Sequence, residues 1–128
     1  MRLLLDTHLL LWSAYAPDRL RPEATRLISD ESNDVLFSAA SIWEVAIKAS
    51  QGRDDFTADP HVLRRELLEN GYDELAITGA HAVATSGLPD IHRDPFDRVL
   101  VAQARIEGIT LLTSDRSVAA YGAPVRLV

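Results

Sequence analysis

Four carboxylates, Asp6, Glu44, Asp97 and Asp115, stand where their side chains can meet although the sequence scatters them. Asp6 ends the apolar run Leu3-Leu4-Leu5, and Asp115 closely follows Leu111-Leu112-Thr113-Ser114. Glu44 and Asp97 fall in the early turns of expected helices. In an open parallel sheet, strand ends and helix starts share one edge, and such folds place their sites there. Two like charges ~4 Å apart at an effective dielectric near 20 repel by about 4 kcal/mol. Three or four together cannot all stay ionised unaided, so either some take up protons or a divalent cation sits among them. All-oxygen ligands favour Mg²⁺ or Mn²⁺ over zinc, and Mg²⁺ keeps waters and takes substrate phosphate oxygens as ligands. The chemistry that suits such a cluster is phosphoryl transfer.

Taken singly, each acid also fits helix capping. Ser41-Ile42-Trp43-Glu44 is a capping-box pattern, and Asp94 with Asp97 fits an N-cap and third position. Acids there gain ~0.3–1 kcal/mol from the helix dipole. Glu44 can also pair with Lys48 four residues on. Capping does not explain why all four acids fall along one edge.

The elements that must position them read as follows. Arg2 to Leu5 has the pattern of a strand buried on both faces of a parallel sheet. Thr7 to Tyr15 is too long for a strand and follows a capping residue, Asp6 or Thr7. Pro22 to Ser29 is a helix with proline in its first turn, and Asp34 to Ser38 a second strand. Apolar residues at Ile42, Val45, Ala46 and Ala49 predict a helix over 39–51, with Gly52 as its C-cap. Arg53 to Pro60 is polar and turn-rich, His61 to Glu69 helical, Glu74 to Thr78 a weaker strand, and Ala80 to Thr85 a short helix. A loop over 86–93 leads into a helix from Asp94-Pro95 to Glu107, stopped by Gly108. Ile109 to Thr113 is a strand, Ser117 to Tyr121 a helical turn or two, and Pro124 to Leu127 a last strand. Strands and helices alternate, which predicts a three-layer α/β/α domain with a central parallel sheet of four or five strands. No repeat or linker interrupts the 128 residues, so one domain over 1–128 is expected.

Composition narrows the setting. With no cysteine, disulfides, thiolate nucleophiles and Cys-ligated zinc are excluded, and a reducing, cytoplasmic setting is the expectation. Asp6 interrupts the first apolar run too early for a signal peptide, and no stretch approaches the roughly 20 apolar residues that span a bilayer. The net charge of −6 counts against plain duplex binding, which leaves a basic footprint. It does not count against a site whose acids hold divalent cations, because the ions reverse the local sign. Lys48 is the only lysine; the remaining positive charge is arginine, the better phosphate fork.

Four stretches occur in an order that resembles a known family. Leu4-Leu5-Asp6-Thr7-His8, Ser41-Ile42-Trp43-Glu44, His92-Arg93-Asp94-Pro95-Phe96-Asp97-Arg98 and Leu112-Thr113-Ser114-Asp115 are similar to the signature segments of PIN-domain toxins of the VapC kind. The resemblance spans residues 2 to 128. Asp-Pro-Phe-Asp-Arg followed by Val99-Leu100-Val101-Ala102-Gln103-Ala104 is its most specific part.

The resemblance implies a PIN-like fold and a metal-dependent endoribonuclease, the toxin of a type II toxin-antitoxin system. Asp6, Glu44, Asp97 and Asp115 would form its catalytic, metal-binding site for one or two Mg²⁺ or Mn²⁺ ions. Asp6 and Asp97 are the expected direct ligands; Glu44 binds directly or through water, and Asp115 holds a second ion or orients a ligand. Thr7, Asp94 and Ser114 are candidates to hydrogen-bond the ligands, with Asp94 equally explained as a cap. His8 and His92 are left out of the catalytic set, since single histidines beside metal sites often serve packing or capping. Arg98 and Arg116 lie beside the acids, where they can neutralise them, contact phosphate or form ordinary ion pairs.

The implied partners are an RNA substrate, a second copy of the chain and a cognate antitoxin, with DNA reached only through the antitoxin. Leu9-Leu10-Leu11-Trp12, with Trp43, Val45 and Ile47, is a candidate groove for its tail, although burial in the protein's own core explains each residue as well. A non-catalytic PIN-like module binding protein or RNA is the alternative, but it would not need the full acidic set. An aspartyl phosphatase would want an acid two positions after Asp6, where His8 stands. A receiver domain would want an adjacent acid pair near the first strand and a late lysine, and the chain has neither. There is also no glycine-rich phosphate loop.

Overall fold

A computed structural model describes residues 1–52 and 57–128, so the expected turn over Arg53–Pro60 lies partly outside the described residues, at 53–56. Five strands, β1 (Arg2–Leu5), β2 (Asp34–Ser38), β3 (Asp73–Leu75), β4 (Thr110–Thr113) and β5 (Val125–Leu127), form one sheet in the order β3-β2-β1-β4-β5. Every pairing is parallel. The helices are α1 (Thr7–Tyr15), α2 (Pro22–Ser29), α3 (Ala39–Ser50), α4 (Pro60–Glu69), α5 (Gly79–Ala84), α6 (Pro95–Glu107) and α7 (Arg116–Ala119).

Alternation along the inner strands makes two cores. Leu3, Leu5, Val35, Phe37 and Leu112 face one side and pack with Leu9 and Leu10 of α1, Ala24 and Leu27 of α2, and Leu63 and Leu67 of α4. Leu4, Leu36 and Leu111 face the other and pack with Leu100, Val101 and Ala104 of α6 and Val118 of α7. Successive residues of a strand point to opposite faces. The unbroken Leu3-Leu4-Leu5 run is therefore what a central strand covered by helices on both sides requires.

The register places the C-terminal ends of β1 and β4 side by side, with Leu5 opposite Leu112. The chain fills the sheet outward from β1 through β2 to β3, then resumes on β1's other flank with β4 and β5. The crevice between the ends of β1 and β4 is thus the switch point where open α/β sheets bind ligands. Asp6 and Asp115 both follow strands that end there.

Two local expectations change. β2 runs directly into α3, so Ser38 is the N-cap and its hydroxyl accepts from the Ala40 amide at 3.0 Å. Ser41 therefore lies inside the helix and Glu44 a turn further in, which removes the capping box expected for that pair. The strand expected over 74–78 is Asp73–Leu75. Its neighbour β2 stops at Ser38, paired with Leu75, and offers no backbone partner for Ala76–Thr78. Thr78 instead caps α5. At the end of α6, Gly108 takes φ +66°, the left-handed turn that lets the chain drop straight into β4.

Candidate active site

Asp6 caps α1 from the end of β1. Its Oδ1 accepts the Leu9 amide at 2.8 Å, and its Oδ2 accepts the Thr113 hydroxyl from the end of β4. The Thr113 oxygen in turn accepts the Asp115 amide at 3.0 Å, so one threonine ties the ends of both central strands together. Asp6 is almost fully buried, and burial raises its pKa against the lowering effect of those hydrogen bonds.

Asp97 sits at the third position of α6, whose N-cap is Asp94. Burial pushes its pKa to about 7, and the negative charges of Asp94, Asp6, Glu44 and Asp115 push the same way. Its carboxyl therefore sits in the combined field of the other acids. Glu44 is buried on α3, and its Oε2 takes the Lys48 ammonium at 3.0 Å. Asp115 caps α7, accepting the Ser117 amide at 2.8 Å and the Ser117 hydroxyl at 2.7 Å. The Ser117 hydroxyl holds its pKa below the usual carboxylate range.

The sheet edge thus gathers Asp6, Glu44, Asp97 and Asp115 around one crevice, but not at equal range. The tightest group of possible ligands among the described residues is His92, Asp97 and Asp115, with ligand atoms within 4.8 Å of one another. The His92 Nε2 lies 3.6 Å from Asp97 Oδ2 and 3.9 Å from Asp115 Oδ2. The donor set fits a hard divalent cation: it is dominated by carboxylate oxygens, and burial, with the repulsion of the neighbouring acids added to it, raises the Asp97 pKa to about 7.

The supporting residues differ from those expected. The Thr7 hydroxyl bonds Ser41 Oγ at 2.9 Å, joining α1 to α3, and Thr113 is the hydroxyl that serves Asp6. Ser117, rather than Ser114, holds Asp115. Asp94 is a cap, its Oδ1 accepting the Phe96 amide at 2.9 Å, and it adds its charge to the field on Asp97. His8 is exposed and packs near the Trp12 ring, while Arg116 is exposed. Arg98 neither pairs with the acids nor faces the crevice. Its guanidinium donates to the carbonyls of Thr85 and Pro89 and to the Tyr121 hydroxyl, clamping the segment that ends at His92. Sequence reasoning missed Thr113 and Ser117, and it considered His92 but left it out of the catalytic set. Asp115-x-Ser117 carries the local signal of a side chain turning back on its own backbone, whereas nothing local marks Thr113 as the partner of a residue 107 positions away.

The single groove expected from Leu9–Trp12 with Trp43, Val45 and Ile47 does not form. Leu9, Leu10 and Val45 are core residues. Leu11 and Trp12 line one depression with Tyr15 and Val62. The exposed Trp43 stands edge-on to Phe96, 5.2 Å between ring centres, in a separate groove of about 490 Å³ that also takes in Arg93 and Val99. Ile47 lines a third depression beside Glu44 and Asp94.

Comparison with known proteins places this arrangement in context. Residues 3–124 match the family described as PIN domain. Ribonuclease VapC22 of Mycobacterium tuberculosis is 30% identical over 122 residues, covering 94% of this chain and 92% of that one. Among solved structures, VapBC2 of Rickettsia felis bound to a DNA fragment from its promoter has a TM-score of 0.72 at 11% identity, covering 100% of this chain and 98% of that chain. FitAcB of Neisseria gonorrhoeae has a TM-score of 0.63 at 19% identity, covering 96% and 95%. At those identities, the structural likeness speaks for the fold.

Proposed function

We infer, since this chain belongs to the PIN-domain family and resembles its VapC ribonucleases across nearly its whole length, that it is a Mg²⁺- or Mn²⁺-dependent endoribonuclease. We assign it as the toxin of a type II toxin-antitoxin system. The observation that supports this most is Asp97, held protonated to about pH 7 by burial and by four neighbouring acids at the switch point of the sheet. A cleft so strongly negative is costly unless a cation completes it.

Asp6 and Asp97 are the proposed direct ligands, with Glu44 binding directly or through water and Asp115 holding a second ion or orienting a ligand. When bound, the divalent ion supplies positive charge to the phosphodiester and acidifies the attacking water. The residues themselves do the positioning. Thr113 holds Asp6 by one oxygen across the β1–β4 seam, Ser117 fixes Asp115, and Lys48 restrains Glu44. Asp97 would have to be ionised to serve as a ligand, so metal binding would release its proton.

The proposed partners are single-stranded or looped RNA, a second copy of the chain and an antitoxin, with DNA reached through the antitoxin. The Trp43–Phe96 groove, which takes in Arg93, is the proposed seat for the antitoxin tail. The proposed location is the cytoplasm; among the described residues no helix is long and apolar enough to cross a membrane.

The test is cleavage of total RNA with Mg²⁺ or Mn²⁺ and with chelator, using wild type, Asp6→Asn and Asp97→Asn. Cleavage should need the metal and fall at least roughly 100-fold in either variant. Undiminished cutting by the variants would reject the site, and no cutting by any preparation would favour a non-catalytic binding module.

A further inference from the structure

His92 clusters with Asp97 and Asp115 at ligand-like distances, which invites its assignment as a third metal ligand. Its hydrogen bonding argues otherwise. The Asp94 amide donates to His92 Nδ1 at 3.0 Å, so Nδ1 presents its lone pair and the ring proton of the neutral imidazole lies on Nε2. A protonated ring nitrogen has no lone pair to offer a cation. For Nε2 to become a ligand, the proton would have to move to Nδ1, where it would meet the Asp94 N–H head on.

That amide is not free to turn away, because Asp94 caps α6. The His92 backbone is pinned as well: its amide donates to the Tyr121 hydroxyl at 3.0 Å, and that hydroxyl contacts the His92 carbonyl at 3.2 Å. The Arg98 clamp holds the same segment, 2.8 Å from the Thr85 carbonyl and 3.1 Å from the Tyr121 hydroxyl. The ring is therefore fixed with its protonated Nε2 beside Asp97 Oδ2 and Asp115 Oδ2. Those oxygens, at 3.6 and 3.9 Å, lie beyond hydrogen-bond reach.

We propose that His92 is a substrate contact rather than a metal ligand: its Nε2–H donates to a phosphoryl oxygen of the RNA seated over Asp97 and Asp115. The assignment rests on the nuclease reading above. A donor fixed in advance and aimed where phosphate charge must sit stabilises the transition state without reorganising. Arg98 and Tyr121 are positioning residues that act through it.

Three measurements on the full chain test this. Long-range ¹H–¹⁵N NMR of the histidine rings at about pH 8 should show His92 with its proton on Nε2, both with and without Mg²⁺. Mn²⁺ titration should give His92→Ala a dissociation constant within about twofold of wild type. RNA cleavage by His92→Ala should lose roughly 100-fold in kcat. His92→Gln, whose amide nitrogen can reach the Nε2 position, should recover most of that loss, and His92→Asn should not. A proton on Nδ1 in the Mg²⁺-loaded protein, Mn²⁺ affinity weakened more than tenfold, or unchanged kcat in His92→Ala would each overturn the assignment. Wild type that cuts no RNA would remove the nuclease reading and the substrate contact together. Wild type that cuts no faster than His92→Ala removes only the latter.

Discussion

Asp97 carries the clearest consequence of burying an acid among other acids at one edge. Its pKa near 7 in the folded protein lies above its ordinary 3.8. Between those values the folded chain keeps a proton that the unfolded chain has released, so this group's contribution to stability falls as pH rises, and the loss is complete above about pH 7. Asp97→Asn removes that penalty. In chelator at pH 8 the variant should be more stable than wild type by on the order of 2 kcal/mol, and the gain should vanish near pH 4; urea unfolding at the two pH values reads both. A variant no more stable at pH 8 would mean that burial and the neighbouring acids do not raise the Asp97 pKa. The four acids themselves were legible in the sequence because each falls at a strand end or near a helix start. Their partners were not: Thr113 reaches Asp6 only because β4 lies beside β1, and the role of His92 depends on which ring nitrogen meets the Asp94 amide.

At the scale of elements, the segment between α5 and α6 has little regular backbone bonding of its own and relies on Arg98. Replacing Arg98 with alanine strips donors from the carbonyls of Thr85 and Pro89 and from the Tyr121 hydroxyl. Loss of such charge-assisted hydrogen bonds should cost roughly 2 kcal/mol. Amide exchange should quicken across 85–93 while β1 and β4 stay protected; exchange unchanged in that segment would show that Arg98 is not what holds it. The Asp-Pro-Phe-Asp-Arg stretch thus combines a cap, a helix-starting proline, an acid at the crevice and a loop clamp in five residues. The sequence suggested the first three, whereas the arginine pointed toward phosphate or ion pairing, because a carbonyl clamp has no local signature. Helices with their own punctuation, such as α2 with proline at its start and α6 with Gly108 at its end, were read at their true bounds. The start of α3 at Ala39 was read correctly, but its cap was misread as Ser41 because β2 enters the helix without a loop, and β3 was drawn too long because an edge strand lasts only as long as its one neighbour.

For the whole molecule, the parallel sheet was legible because its central strands are apolar on both faces, as Leu3-Leu4-Leu5 and Leu36-Phe37 are, and because helices separate them. The order β3-β2-β1-β4-β5 was not, since alternation alone does not say on which flank of β1 the later strands return. That order is what makes the β1–β4 seam the switch point at which the candidate site lies. With a net charge of −6 and its acids concentrated at the seam, the folded chain should gain stability from a divalent ion that the unfolded chain does not bind. Mn²⁺ at a hundred times its dissociation constant should add about 2.7 kcal/mol. Thermal unfolding should show the increase in wild type and lose it in Asp6→Asn; an equal increase in both would place the ion elsewhere.

The most direct measurement is the position of Mn²⁺ in a crystal of the metal-loaded protein, located by anomalous scattering. The expected result is a peak in coordination contact with Asp97 and Asp6 at the carboxyl ends of β1 and β4. No peak in that crevice, with Asp6 still bonded only to Leu9 and Thr113 and Asp115 only to Ser117, would leave these acids as helix caps and contradict a metal-dependent nuclease.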